Sequence, residues 1–132
     1  MTFNSNLALL ISRLKISVKN KNNSFYIPRS SLNKGILEAL YRKGYISSYQ
    51  IMEDRVNFKV FLKFNSSNLV FNNIRLVSTP SRRIFLGYDT LINKYKPYDF
   101  FIVSSSKGIF LGDEVFLYKV GGELLCDSSD YN

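Results

Sequence analysis

The stretch Phe100-Phe101-Ile102-Val103-Ser104-Ser105-Ser106-Lys107-Gly108 changes character in mid-course. Four apolar residues, the run of a buried strand, give way to three hydroxyls, one cation and a glycine. Hydroxyls donate to phosphate oxygens and accept from base amines or ribose hydroxyls. Lys107 adds a point charge, and Gly108 permits a positive φ or a close backbone approach. The spacing predicts a strand opening into a polar loop over 104–108. Downstream, 109–111 reads as a return strand and Asp113 as the cap of a helical turn reaching Lys119. Gly121-Gly122 then leads into a last strand over 123–126. The loop is not a phosphate-binding P-loop, because Gly-x-x-x-x-Gly-Lys-Ser/Thr is absent. Ser104-x-x-Lys107 matches the Ser-x-x-Lys of some acyl transferases, but it follows an apolar strand and lacks the companion motifs.

Upstream, Leu7, Leu10, Ile11, Leu14 and Val18 fall at helical spacing, with Ser5 as the expected N-cap. Phe25-Tyr26-Ile27 reads as a short strand stopped by Pro28. A second helix is expected over 32–43, capped by Ser30 or Ser31 and closed by Gly44. A strand over 45–52 and a turn at Glu53-Asp54-Arg55 follow. Val56, Phe58, Val60, Leu62 and Phe64 then alternate with Asn57, Lys59 and Lys63, the clearest strand pattern in the chain, with Phe61 on its outer face. A linker is expected at 65–68, strands over 69–71, 74–78 and 83–85, and a short helix capped by Asp89 through Tyr95. The order predicts an α+β fold of two small packed modules: an N-terminal αβαββ module over 1–67 and a C-terminal, mostly antiparallel β module with short helices over 68–132.

The chain has 132 residues, enough for one domain or two small modules around a real core. It has no histidine and one cysteine, which excludes Ser–His–Asp and Cys–His catalysis, the usual zinc sites and an intrachain disulfide. No segment reaches the roughly 18–20 apolar residues of a membrane helix. The formal charge is +8 and unevenly placed: residues 1–109 hold 17 basic against 5 acidic residues, while 110–132 hold one lysine against five acids. The larger part is suited to a polyanion, nucleic acid above all. The acidic stretch 127–132 reads as a frayed end. Phe, Tyr, Asn, Ile and Lys, all with AT-rich codons, make up 55 residues, and alanine occurs only twice, which points to an AT-rich, organellar genome.

Two further segments carry anion chemistry. In Thr79-Pro-Ser-Arg-Arg-Ile-Phe85, Arg82 and Arg83 can clamp phosphates and Phe85 can stack on a base. In Pro28-Arg-Ser-Ser-Leu-Asn-Lys34, Ser30, Ser31 and Lys34 crowd a helix N-terminus. A solvated turn and routine capping are the plain readings of these two.

Taken in order, these segments resemble the family of small-ribosomal-subunit protein eight in its bacterial and organellar form. The resemblance runs from about Leu7 to Cys126. Its strongest mark is Val103-Ser-Ser-Ser-Lys-Gly108 followed by Gly121-Gly-Glu-Leu-Leu-Cys126, supported by Pro28-x-Ser-Ser31, Gly44-Tyr-Ile46 and the spacing of Pro80, Arg83 and Phe85. The chain departs from the family at Ser5-Asn6, where Asp-Pro is usual, at Thr79-Pro80-Ser81 for Arg-Pro-Gly, at Phe85 for Tyr, and at Ile16 for Asn.

The resemblance implies a primary rRNA-binding constituent of the small subunit. Such a protein binds an irregular helix of the rRNA central domain and helps assemble the platform, with no catalysis, cofactor, metal, membrane or small-molecule substrate. Its partners would be small-subunit rRNA and neighbouring small-subunit ribosomal proteins. The RNA-contacting residues would be Ser104, Ser105, Ser106, Lys107, Gly108, Arg83 and Phe85, with Ser30, Ser31 and Lys34 on the first module and Glu123 supporting the loop. With the composition, the expected location is a mitochondrial ribosome, ahead of a plastid or the bacterial cytoplasm. The alternative is a free-standing RNA-binding translational regulator using the same surface.

Overall fold

The computed structural model describes residues 3–63, 71, 73–79 and 81–128. Helix α1 (Phe3–Lys19) buries Leu7, Leu10, Ile11 and Leu14 as the spacing requires. It begins two residues before Ser5, which therefore lies inside the first turn and is not the cap. Strand β1 (Ser24–Pro28) leads to α2 (Ser31–Arg42). Ser30 is the N-cap of α2, its hydroxyl accepting from Asn33 N at 3.1 Å. Gly44, at φ +81°, ends the helix in the left-handed region where a glycine costs least.

Strands β2 (Ile46–Ile51) and β3 (Asn57–Leu62) complete the first module. The sheet order is β1-β3-β2, antiparallel throughout. In β3 the alternation is strict: Phe58, Val60 and Leu62 are buried under the helices, and Asn57, Lys59 and Phe61 face the other way. The expected linker at 65–68, Phe64 and most of the strand expected at 69–71 lie outside the described residues. Phe71 itself is fully buried.

The second module comprises β4 (Ile74–Leu76), β5 (Phe85–Leu86), α3 (Tyr88–Lys94), β6 (Phe101–Ser105), β7 (Gly108–Leu111), α4 (Gly112–Tyr118) and β8 (Gly122–Ser128). Its sheet runs β4-β8-β6-β7, with β5 also paired to β8. The architecture is α+β, as the order of elements requires. Local differences have local causes. Asp89 lies inside α3, whose cap position is Gly87 with no side-chain bond. Asp113 lies inside α4, and Glu114 reaches back instead to the Leu111 N–H, at 3.3 Å. The chain does not fray at Asp127: β8 continues to Ser128, and Asp127 is buried against Arg75 and the Tyr95 hydroxyl.

One apolar cluster joins the modules, running from Leu7, Leu10, Ile36 and Val60 to Phe71, Ile102, Leu111 and Leu125. A smaller cluster, with Leu91, Phe101, Val103, Val115 and Leu124, lies on the opposite face of the second sheet, under α3 and α4. Helix α1 packs on β4 and α2 on β7. The seam is tied by Arg42, which forms a two-pronged pair with Glu114 at 2.8 and 2.9 Å, and by Lys43 with Asp113. That bonding holds both cations' pKa values above their ordinary range, the hydrogen bond being the main cause.

Arg42→Ala strands a nearly buried carboxylate. It should lower stability by about 1–2 kcal/mol, less than a fully buried pair because Arg42 is partly solvated. A shift of the urea midpoint without a change of slope would show it.

Candidate nucleic-acid interface

Hairpin β6–β7 is tighter than the expected loop. Ser104 and Ser105 belong to β6 and Gly108 to β7, which leaves Ser106 and Lys107 as a two-residue turn. The Ser105 hydroxyl is committed to that turn, donating to Gly108 O at 2.9 Å and accepting from Lys107 N at 3.2 Å. Gly108 sits at φ +132°, a conformation other residues rarely adopt. Ser106, Lys107 and Gly108 are exposed, whereas Ser104 and Ser105 are half-buried. The turn therefore presents a hydroxyl, an ammonium and an open backbone, and Ser105 fixes its shape.

Ladder pairing places Phe85, Glu123, Ser104 and Ile109 in one row across β5, β8, β6 and β7. Glu123 is buried, and Arg83 caps it with a two-pronged pair at 3.0 and 2.7 Å. The hydrogen bond to Glu123 raises the Arg83 pKa further. The same guanidinium lies 5.4 Å from the centre of the Phe85 ring, which is 63% exposed. Ser78, fully buried, secures this edge: its hydroxyl donates to Leu124 O at 2.7 Å and accepts from Ile84 N at 3.0 Å. No pattern around Val77-Ser78-Thr79 marks that residue in the sequence.

Gly121 and Gly122 make the arrangement sterically feasible. A Cβ on Gly122 would lie 2.3 Å from Ser104 O, and one on Gly121 would lie 2.8 Å from Leu86 O and Tyr88 N. The start of β8 is wedged between the β5–α3 corner and the serine strand. Across the seam, a Cβ on Gly35 would stand 2.6 Å from Ile109 Cδ1, so the N-terminal half of α2 packs directly on β7. Ser31 and Lys34 are exposed on that half of α2, while Ser30 is occupied by capping. The structure thus brings Ser104, Phe85 and Glu123 into one row beside the hairpin turn, with Arg83 paired to Glu123, and sets the start of α2 against β7.

The described acids of the C-terminal stretch are all paired. Asp113, Glu114, Glu123 and Asp127 pair with Lys43, Arg42, Arg83 and Arg75 respectively. They act as struts, which leaves Lys107 and Lys34 outside these ion pairs. Among the described residues no cluster of His, Cys, Asp or Glu could hold a metal.

The chain matches the family model for ribosomal protein S8 over residues 5–128. The chain belongs to the ribosomal protein S8 family. It is 37% identical over 120 residues to small ribosomal subunit protein uS8 of Borrelia garinii, covering 89% of this chain and 91% of the relative. It is 36% identical over 100 residues to the uS8 of Nautilia profundicola, with 74% and 76% covered, and 33% identical over 124 residues to that of Bacteroides fragilis, with 91% and 95% covered. S8 proteins are structural constituents of the small ribosomal subunit, and the chain is a non-enzymatic member of that family.

Protons are held tightly in the S8 core. Burial pushes the Cys126 thiol up, and burial with the bond to Asp127 pushes the Tyr95 phenol well up. Tyr49, half-buried and donating to Glu38 at 2.6 Å, is pushed up to about 12. In the unfolded chain these groups ionise from about pH 9 to 10. The unfolded state then binds fewer protons than the folded one, so the stability they contribute is present below pH 9 and lost as pH rises through the folded pKa values. Urea midpoints should be level from neutral pH to 9 and fall steadily above it; a level midpoint up to pH 11 would contradict these assignments.

Proposed function

We propose that this S8 protein is a primary rRNA-binding protein that grips an irregular helix of the small-subunit central domain and helps order the platform during assembly. The observation carrying the reading is the β6–β7 turn, whose exposed Ser106 and Lys107 project from a strand locked to the buried, paired Glu123. Regular A-form RNA hides its major-groove edges from side chains, so a hydroxyl-bearing turn suits a distorted or widened helix. Arg83 and Phe85 would extend the contact along the row, the first to phosphate and the second by stacking. Ser31 and Lys34 would touch backbone on the other side of the seam, with Ser30 holding the helix start in shape. Ser104 and Glu123 would position the turn more than touch the RNA.

Two forces divide the work. Lysines and arginines supply sequence-independent attraction to phosphate, and the turn supplies recognition of one shape. Binding to a central-domain rRNA fragment should therefore weaken steeply with salt. A mutant fragment with the irregularity repaired to regular pairs should bind far less tightly at the same salt. A flat salt response, or equal affinity for the repaired fragment, would contradict the proposal.

From the AT-rich composition we further propose that the ribosome is mitochondrial; the relatives named above are bacterial. Co-sedimentation of the tagged chain with small subunits from purified mitochondria tests this, against cytosolic or plastid subunits from the same cells.

A further inference from the structure

The outer face of the first sheet has a different chemistry from the rest of the molecule. Helices α1 and α2 cover its inner face, and no described element packs over the outer one. Outer-face positions on a solvated antiparallel sheet are ordinarily polar. Here β1 places Tyr26 outward, 46% exposed, and β3 places Lys59 and Phe61 outward, both half-buried. Tyr26 pairs directly with Lys59, and Ser24 with Phe61, so the two rings sit on a diagonal with the ammonium beside them. Lys59 Nζ is 5.6 Å from the Tyr26 ring centre and 5.2 Å from that of Phe61. No carboxylate pairs with Lys59 among the described residues.

The surroundings are cationic. Arg13 donates from α1 to Tyr26 O at the outer edge of β1. Arg29 and Arg55 are exposed at the end of the sheet where β1 meets the β2–β3 turn. Two acids share that end, Glu53 and Asp54, and Asp54 is occupied by the N–H groups of Val56 and Asn57. Gln50, across β2 from Lys59, adds an exposed amide able to meet a base edge.

We propose that Tyr26, Lys59 and Phe61 form a stacking platform for unpaired RNA bases, a second RNA contact on the opposite module from the β6–β7 turn. Each ring offers a face to a base, which is sequence-tolerant because every base has one, and Lys59 swings from the rings to the phosphate that follows. The excess of cations along this edge favours a polyanionic strand over an acidic-and-apolar or basic protein surface.

The full-length protein is titrated with a fluorescein-labelled ten-nucleotide oligouridylate at low salt. Replacing each ring by threonine, a good strand former, should weaken binding roughly tenfold per ring. Phe61→Trp introduces the only tryptophan of the chain, should bind like the parent, and should show quenched emission when oligouridylate saturates it. Lys107→Ala should leave oligouridylate affinity within about twofold, which separates this proposal from the hairpin reading. Parent-like affinity in the Tyr26→Thr/Phe61→Thr protein, or tryptophan emission indifferent to the oligonucleotide, would overturn the platform. A double variant that is merely less stable, or that fails to enter subunits while binding oligouridylate normally, would equally overturn it and mark the face as sheet packing or a protein contact.

Discussion

Gly122→Ala is expected to lower stability by about 3 kcal/mol or more and to abolish tight binding of the rRNA fragment. The added Cβ would sit 2.3 Å from Ser104 O, and that oxygen belongs to a strand held on both sides by β7 and β8. A flexible side chain could rotate away from such a clash, but a paired backbone cannot, so the serine strand must separate from β8. The loss then reaches Glu123, one residue on, whose buried carboxylate depends on the same register for its pairing with Arg83. Gly87→Ala is the comparison: nothing lies within 4 Å of its Cβ, and only the poorer helix cap should cost it about 1 kcal/mol or less. Thermal melts of the two variants, read beside rRNA binding, check both halves. Equal melts for Gly122→Ala and the parent would show that the wedge does not exist.

Changing Ser106 and Lys107 together to alanine should have the opposite profile, with a large binding loss and an almost unchanged melt. Both side chains are exposed, and neither hydroxyl nor ammonium holds the fold in any described contact. Lys107 should account for about one unit of the salt slope, and the pair for roughly a 10- to 100-fold weaker complex at fixed salt. Ser105→Ala separates shape from contact. Its hydroxyl bridges Gly108 O and Lys107 N, so its removal should loosen the turn and weaken binding without changing the salt slope. Parent-like binding by the Ser106/Lys107 variant would remove the turn from the interface.

The fold was legible where local pattern and burial agree. The stripe from Leu7 to Leu14, the alternation from Phe58 to Leu62 and the glycine at 44 each have one geometric solution, and the chain adopts it. Sequence reading failed where several residues satisfy the same local rule. Ser5, Asp89 and Asp113 are all competent caps, but α1 starts earlier, α3 starts at a glycine cap, and Glu114 supplies the bond at α4. The candidate site was half legible. Hydroxyls, a lysine and a glycine at 104–108 mark a polar turn, but only the folded chain shows that the Ser105 hydroxyl is spent on that turn and that Phe85, Glu123 and Ser104 share a row. The partners of the C-terminal acids were not legible because ion pairing is long-range: Asp127 meets Arg75 from 52 residues away, and Glu114 meets Arg42 from 72. Nothing in the spacing of these residues encodes those partners.

Photo-crosslinking in the assembled small subunit tests the central claim most directly. A photoreactive residue placed at 106, within the native particle, should attach to one short rRNA segment at an irregular helix of the central domain, and the same group placed at exposed Leu117 should not attach there. Attachment at 106 to protein alone, or to no RNA at all, would contradict the account.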